Sequence, residues 1–163
     1  MKSQLDDKDF KILNILQKDS TISVKEVGNL IGLSFTPTYE RIKNLEKQQI
    51  IQRYVALVDR QKLGIGLIAY CNITMKEQSK KTLENFEAAI VKHHQILEVV
   101  STSGTYDFML KIYADDIDSY NDFIVNVISD IPNIGQYHSF IVLNEVKKST
   151  AYIKQLPTSK KNG

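Results

Sequence analysis

Apolar residues in the first part of the chain recur every three or four positions, which predicts short amphipathic helices. Ile12, Leu13 and Leu16 form the apolar stripe of the first helix. Asp6 stands just before that stripe and is expected to cap the helix N-terminus, with Leu5 packing beside it. The same period then continues in two further segments.

The second and third helices are predicted by their start and stop signals. Ser23 and Glu26 have the spacing of a capping box, and Gly32 supplies the left-handed residue that ends a helix. Ser34 is expected to cap the third helix, whose first turn tolerates Pro37. Two helices joined by so short a connection are typical of a helix-turn-helix, which places its second helix in the DNA major groove.

The third helix has an apolar face at Thr38, Ile42 and Leu45, and its opposite face is polar. Hydroxyl, phenol, amide and ammonium groups on that polar face suit base edges and phosphates. A helix-turn-helix pattern also occurs as a packing or protein-contact module, so periodicity alone leaves both interpretations open. The residues predicted to contact DNA are Ser34, Thr36, Pro37, Thr38, Tyr39, Arg41, Lys43, Asn44 and Lys47.

Residues 50–59 have β character and predict a wing strand, and the glycines of Leu63-Gly64-Ile65-Gly66 mark a boundary. The predicted organisation is a helix-turn-helix domain in residues 1–52, a wing and hinge in 53–66, a second domain in 67–150 and a tail in 151–163.

The second half changes from helical spacing to a strand–helix alternation of the order β-α-β-β-α-β. This order predicts an α+β, ferredoxin-like fold, with a four-stranded antiparallel sheet and two helices on one face. The predicted elements are strand 67–75, helix 80–91, strands 96–102 and 106–113, helix 117–128 and strand 136–146. Val99, Met109 and Ile141 lie in strands with little charge, so we expect the helix-free face to pair with a second copy in a homodimer.

Composition and charge narrow the class of protein. Hydrophobic residues make up 42% and charged residues 25%, typical of a soluble globular protein, and the net charge is only +2. The lone cysteine, Cys71, is expected to be inert core in a reducing compartment. Without an apolar run of membrane-spanning length or a secretory leader, we expect no membrane association and a cytoplasmic location.

Taken together and in order, the motifs resemble the Lrp/AsnC family of bacterial and archaeal transcription regulators. The family's opening motif is similar to Leu5-Asp6-x-x-Asp9-x-x-Ile12-Leu13, and its recognition helix to Ser34-x-x-Pro37-x-x-x-Arg41-Ile42-x-x-Leu45. Its wing and hinge are similar to Ile51-x-x-Tyr54 with Leu63-Gly64, and the glycine turn of its effector-binding RAM domain to Gly104-x-x-Asp107.

The resemblance implies a winged helix-turn-helix joined to a ferredoxin-like effector domain. It implies double-stranded DNA and a free amino acid as partners, a homodimer, an octamer of four dimers and no cofactor. Val99, Ile134 and Tyr137 favour an apolar effector such as leucine or methionine. A bare glycine turn offers backbone N–H groups to an α-carboxylate. The implied effector residues are Ser103, Gly104, Thr105, Tyr106 and Asp107, with Gln136, Tyr137 and Ser139 from the last strand.

Several alternatives remain open. Glu40 and Asn44 stand where the family often has arginine, and Lys47-Gln48-Gln49 replaces a common glycine turn. Arg41 could pair with Glu40 or Glu46 instead of DNA. The Gly104 turn could be a plain hairpin turn in which Asp107 caps backbone groups.

The acidic residues at 115–118 are read as helix caps and His93-His94 as a helix end, so neither predicts a metal site. An enzyme or stand-alone small-molecule binder built on the ferredoxin-like half is the alternative function. No nucleophile with a base, metal-ligand spacing or phosphate loop supports it, and we expect no enzymatic activity.

Overall fold

The computed structural model describes residues 5–154 and divides the chain into two compact units. Of the described residues, the first unit comprises 5–57 and 147–154, and the second comprises 58–146. The predicted tail beyond residue 154 lies outside the described residues. Among the residues described, no helix combines the length and apolarity needed to cross a membrane.

The first unit contains three helices, as the sequence predicts. They are α1 (Asp7–Leu16), α2 (Val24–Ile31) and α3 (Phe35–Lys47). One apolar cluster holds them together, and each helix contributes to it. Its buried members are Ile12, Val27, Ile31, Ile42 and Leu45.

The helix starts and stops follow the predicted signals. The Asp6 carboxylate accepts from the backbone N–H of Asp9 at 2.9 Å, and Asp9 accepts from the N–H of Asp6 at 3.1 Å. Ser23 and Glu26 form the same reciprocal pair at the start of α2. Gly32 ends α2 with a left-handed φ of 70°. These local signals place α1 and α2, and through the short turn they position α3.

The end of α3 is formed by Gln49 in the left-handed conformation that glycine favours, with φ of 57°. The Ile50 N–H donates to the Leu45 carbonyl at 3.0 Å and the Gln49 N–H to the Glu46 carbonyl at 2.9 Å. This pair of bonds is a Schellman motif. The turn is therefore tight even though no glycine is present, and Gln49 adopts the strained left-handed conformation in its place.

The predicted wing strand in residues 50–59 is not formed as a strand in the structure. Residues 52–59, all of them described, have no strand or helix assignment. A strand needs a neighbouring backbone to pair with, and among residues 5–154 no other strand lies alongside this segment. Tyr54 is fixed instead by its side chain, whose hydroxyl donates to Glu46 at 3.0 Å.

The second unit has the predicted β-α-β-β-α-β order. Its elements are β1 (Leu67–Met75), α4 (Lys80–Ile90), β2 (Ile96–Ser101), β3 (Phe108–Ala114), α5 (Ile117–Phe123), which continues as a π-helical turn over Ile124–Ile128, and β4 (Ile134–Ile141). The sheet order is β2-β3-β1-β4, with all neighbours antiparallel. This is the arrangement of the predicted ferredoxin-like fold.

One face of the sheet is buried under the helices and the other is open. Alternate residues of β1 and β3 form the core, together with Phe86 and Ile90 of α4. Val99 lies opposite Leu110 and Ile141 opposite Ala69, so both belong to the helix-covered face. Of Val99, Met109 and Ile141, which were predicted to contribute to an apolar open face, only Met109 lies on that face.

The last strand is shorter than predicted. β4 ends at Ile141, which pairs with Ala69, and only the Val142 N–H continues, to the Ile68 carbonyl. Because β1 begins at Leu67, no paired backbone remains for the apolar residues up to Val146. Leu143 and Val146 are accordingly exposed.

Candidate nucleic-acid interface and effector site

The polar face of α3 is exposed, as the amphipathic pattern requires. Pro37 is half-buried in the first turn. The exposed members of the predicted DNA-contact set are Ser34, Thr36, Tyr39, Lys43, Asn44 and Lys47.

Thr38 is completely buried, which corrects its assignment as a DNA contact. Its hydroxyl donates to the Ser34 carbonyl at 2.8 Å. It packs against Gly28 of α2, where an added Cβ would lie 2.9 Å from the Thr38 hydroxyl and 2.8 Å from the Leu33 carbonyl. Thr38 therefore sets the close approach of α2 and α3.

Arg41 is bound to α1. Its guanidinium lies 2.7 Å from Asp9 and 2.8 Å from Asp6, and the side chain is 33% exposed. The hydrogen bond to Asp9 is the main cause that raises the pKa of Arg41. The alternative partners Glu40 and Glu46 on its own helix were wrong. Arg41 therefore holds α3 against α1. The guanidinium, which was predicted to contact DNA, is instead bound by the carboxylates of Asp6 and Asp9.

Lys43 is also paired, but on the exposed surface. Its ammonium lies 2.7 Å from Glu46, and that hydrogen bond is the largest cause lowering the pKa of Glu46. The Tyr54 hydroxyl donates to the same carboxylate, and burial followed by this bond raises the pKa of Tyr54 to about 12. Lys43 can still reach a phosphate, because a surface ion pair of this kind contributes about 0–1 kcal/mol.

An aromatic pair that the sequence reading missed lies on the exposed side of α3. The rings of Phe35 and Tyr39 stack with centroids 6.0 Å apart, and the Lys43 ammonium lies 5.7 Å from the Tyr39 ring centroid. Phe35 is 56% exposed, unusual for a residue so apolar. The sequence signal for this pair is the i, i+4 spacing of Phe35 and Tyr39, which brings two rings together outside the apolar stripe of the helix.

The N-terminus of α3 leaves polar groups available. Ser34 is the cap residue, yet its side chain makes no capping hydrogen bond. The first backbone N–H groups of a helix have no intrahelical partner and favour an anion. A DNA phosphate is the anion that such a position suits.

The predicted effector loop is an exposed turn between β2 and β3. Ser103, Gly104 and Thr105 are exposed, and Gly104 has a φ of 121°. The Thr102 hydroxyl donates to the Tyr106 carbonyl, which closes the base of the loop. Its glycine is thus required by the backbone conformation.

Asp107 is used to join this loop to the end of β1. Its carboxylate accepts from the Met75 N–H at 2.7 Å and from the Gln78 side-chain amide at 2.8 Å. Asp107 caps backbone groups, as the alternative interpretation proposed, although on a neighbouring strand end and not within its own turn. We therefore treat it as a residue that positions the loop.

Tyr106 connects the loop to β4. Its ring lies edge-on to His138 at 5.6 Å between centroids. Beside them is a shallow surface cavity of about 390 Å³. The cavity is lined by Ser129, Ile134, Gly135, Gln136, Tyr137 and His138. The structure thus brings the predicted Tyr106, Gln136 and Tyr137 to one region, and adds His138, for which the sequence carried no distinguishing signal.

Ser139 is directed to the helix-covered side of the sheet. It is hydrogen-bonded to the Tyr120 hydroxyl at 2.6 Å, and it lies opposite Cys71 in the β-ladder. Burial raises the pKa of Tyr120 to about 12 and that of the Cys71 thiol to about 11. Cys71 is fully buried, so the prediction that it lies in the core is confirmed. Ser139 serves the packing beneath β4 and not the cavity.

A three-helix DNA-binding unit followed by a ferredoxin-like unit defines a class of transcriptional regulators with a separate effector domain. Residues 5–52 match the family profile described as a winged helix-turn-helix DNA-binding domain. Residues 68–152 match the profile described as the Lrp/AsnC ligand binding domain. The chain belongs to the Lrp/AsnC family.

Individual relatives agree with this assignment along most of the chain. The leucine-responsive regulatory protein of Salmonella typhimurium is 35% identical over 149 residues, covering 91% of each chain. An AsnC family regulator from Agrobacterium tumefaciens has a TM-score of 0.85 at 31% identity, covering 94% of this chain and 97% of its own. A Neisseria meningitidis transcriptional regulator, solved in complex with L-Met, has a TM-score of 0.87 at 27% identity, covering 91% and 96%.

These findings confirm the family resemblance, the winged helix-turn-helix and the ferredoxin-like effector domain. The protein is a DNA-binding transcriptional regulator with an effector-binding domain. Its relatives are regulators and not enzymes.

Proposed function

We propose that this protein adjusts transcription in the cytoplasm in response to a free amino acid with an apolar side chain. The observation that carries the proposal is the contact between Tyr106, which follows the glycine loop, and His138, which lines the β4 cavity. The relative solved with L-Met and the relatives named leucine-responsive support methionine or leucine as the effector.

On the DNA side, α3 would enter the major groove with its N-terminal turn leading. Thr36, Tyr39 and Asn44, together with Phe35, would meet base edges, where a ring or methyl group contacts thymine and an amide pairs with adenine. Ser34, Lys43 and Lys47 would contact phosphates. Thr38 and Arg41 would act only through the packing of the helices.

On the effector side, the exposed backbone of Ser103, Gly104 and Thr105 would bind the α-carboxylate. The Gln136 amide oxygen or neighbouring carbonyls would accept from the ammonium group. Tyr137, which is 39% exposed, would cover the apolar side chain together with Ile134. An apolar lining with a few converging polar groups is typical of a small-molecule site.

A homodimer through the open face of the sheet is part of the proposal. Val100 and Phe140 are exposed there, 39% and 54% respectively. Such a face is covered most simply by the same face of a second copy. The octamer of four dimers follows the resemblance, and in it a neighbouring subunit would complete the shallow cavity.

The experiment combines two measurements on the full-length protein. Thermal unfolding is recorded with each of the twenty amino acids, because a ligand at a hundred times its Kd stabilises by about 2.7 kcal/mol. DNA binding to the protein's own upstream region is then titrated against salt, with and without any stabilising amino acid. We expect stabilisation by methionine or leucine, a steep loss of affinity as salt rises, and an effect of that amino acid on affinity. Stabilisation by none of the twenty would contradict the amino-acid effector, and salt-insensitive binding would contradict the DNA interface.

A further inference from the structure

The last described residues return to the helix-turn-helix unit. Residues 147–154 group with residues 5–57 and not with the sheet that precedes them. The Tyr152 N–H donates to the Gln17 side-chain oxygen at 2.8 Å, and the Gln17 side-chain nitrogen donates to the Tyr152 carbonyl at 3.1 Å. The Gln17 side-chain amide thus makes both backbone hydrogen bonds of Tyr152, as the backbone of a neighbouring β-strand would.

Two further contacts follow the same line along α1. The Asn14 side-chain nitrogen donates to the Lys154 carbonyl at 3.4 Å. The Lys154 ammonium lies 5.9 Å from the Phe10 ring centroid. Gln17, Asn14 and Phe10 have the spacing of one helix face, so the segment runs antiparallel along α1.

The polypeptide therefore crosses between the two units twice, after Leu57 and after Val146. On the second unit, Arg60 follows the first crossing and Glu145 precedes the other. Their side chains form an ion pair at 3.5 Å, each less than a third exposed. Arg60 is itself fixed by donating to the Ile65 carbonyl at 3.1 Å. The two connections thus meet the second unit at one place.

The helix that receives the returning segment also holds the recognition helix. Asp9 of α1 binds Arg41 of α3 at 2.7 Å, one position before Phe10. A displacement of α1 is consequently shared by α3. Residues 147–154 contact α1, and α1 contacts α3, so the last described residues are linked to the DNA-binding surface through α1.

We propose that residues 147–154 form a strap that docks on α1 of the same chain and couples the effector domain to the recognition helix. The docked strap gives the DNA-binding unit a second attachment to the effector domain. Its few hydrogen bonds are exposed, so the strap opens and closes reversibly, like other low-stability segments. The coupling to the effector rests on the proposed function, whereas docking does not.

Docking is tested by hydrogen exchange on the full-length protein. Gln17→Ala removes both partners of the Tyr152 backbone, and we expect about five- to tenfold faster exchange of the Tyr152 amide. Asn29→Ala is the matched control, because it removes an exposed helix amide from α2. Unchanged exchange in Gln17→Ala, or equal acceleration in both variants, would overturn docking.

Cross-linking tests whether the strap belongs to the same chain. Asn14→Cys and Lys154→Cys are combined and joined by a short bismaleimide, with each single variant as control, because this pair leaves both Gln17 hydrogen bonds to Tyr152 in place. Lys154 is exposed and Cys71 is buried, so reaction is expected at the introduced pair. A cross-linked product of monomer mass supports the proposal, and one of dimer mass overturns docking within one chain.

Coupling is tested by the ratio of DNA affinities with and without the stabilising amino acid. We expect this ratio to move toward one in Gln17→Ala and to stay at the wild-type value in Asn29→Ala. A wild-type ratio in a Gln17→Ala protein whose exchange is accelerated would overturn the coupling. If no amino acid acts on the wild-type protein, the coupling fails with the proposed function, while the exchange and cross-linking results still decide docking.

Discussion

Arg41 of the recognition helix and Asp9 of α1 are joined by a 2.7 Å ion pair, which Asp6 completes at 2.8 Å from the same guanidinium nitrogen. Asp6 and Asp9 also cap each other's backbone at the start of α1. The same two carboxylates therefore form both the N-terminal cap of α1 and the contact between α1 and α3. Loss of the arginine is expected to affect both.

Arg41→Gln is expected to lower the free energy of unfolding by about 1–2 kcal/mol at pH 7, because the pair is charged and partly buried. The pKa of Asp6 is held below its ordinary value of 3.8, first by the Asp9 N–H and further by Arg41. A lowered carboxylate pKa stabilises fully above the ordinary value and less as pH falls through the folded value. The difference between variant and wild type should thus shrink below about pH 4. Urea unfolding at pH 7 and pH 3 measures it, with Arg53→Gln, an exposed arginine, as the control.

Gln49→Gly is expected to stabilise the protein by about 1 kcal/mol, because glycine adopts a left-handed conformation without the penalty of a Cβ. The lost Gln49 side-chain bond to the Glu46 carbonyl, at 3.3 Å and exposed, offsets little of this. Gln48→Gly is the matched control. Its φ of −80° is ordinary, so glycine there should destabilise. Equal effects in the two variants, measured by chemical denaturation, would contradict the strain at Gln49.

Gly28→Ala is expected to destabilise by about 1–3 kcal/mol, since the added methyl group would overpack the contact between α2 and α3. The nearest atom, the Leu33 carbonyl oxygen at 2.8 Å, is backbone and cannot rotate away. Asn29→Ala, the next residue on the exposed side of α2, is expected to be neutral. Thermal unfolding compares the two, and a neutral Gly28→Ala would show that the helices can separate without loss.

On α3, substitutions at positions that face phosphates should change the overall DNA affinity, whereas substitutions at positions that face bases should change the sequence preference. Lys47→Ala is expected to weaken binding on every sequence and to lower the salt slope by about one. Tyr39→Ala should instead change the relative affinities of sequences, because it also removes the stacking partner of Phe35. Lys92→Ala, on the second unit, controls for net charge. Binding to a randomised DNA pool followed by sequencing distinguishes the outcomes, and identical changes in both variants would contradict the assigned faces.

The sequence predicted those features that depend on neighbours along the chain. Asp6, Ser23 and Gly32 work within one turn of their own helix, so their roles could be read locally. The partners of Arg41 could not, because they are brought close only when α1 packs on α3. The strap was missed for the same reason, since Tyr152 pairs with a residue 135 positions away and carries no periodic signal.

At the candidate effector site, the position of the glycine turn could be predicted from the sequence, whereas the facing of the β4 residues could not. A glycine turn is visible in a sequence through the conformation it requires, and the structure confirms the left-handed Gly104. Predicting the β4 residues required knowing which face of the edge strand each side chain occupies. Ser139 and Tyr137 pair with Cys71 and Ile73 of the covered face, whereas His138 pairs with Asn72 of the open face. A shift of one position reverses such an assignment.

His138→Ala is the sharpest test of the effector site, because it removes the ring against which Tyr106 rests. Without ligand, the variant should unfold near the wild-type temperature, since the side chain lies on an exposed edge strand. With an effector at a hundred times the wild-type Kd, a tenfold loss of affinity would reduce the stabilisation from about 2.7 to about 1.4 kcal/mol. His94→Ala is the matched control, as it removes an exposed histidine far along the chain from the cavity. Full ligand stabilisation in His138→Ala would place the effector somewhere other than beside Tyr106, and a reduced response in both variants would indicate a general loss of stability.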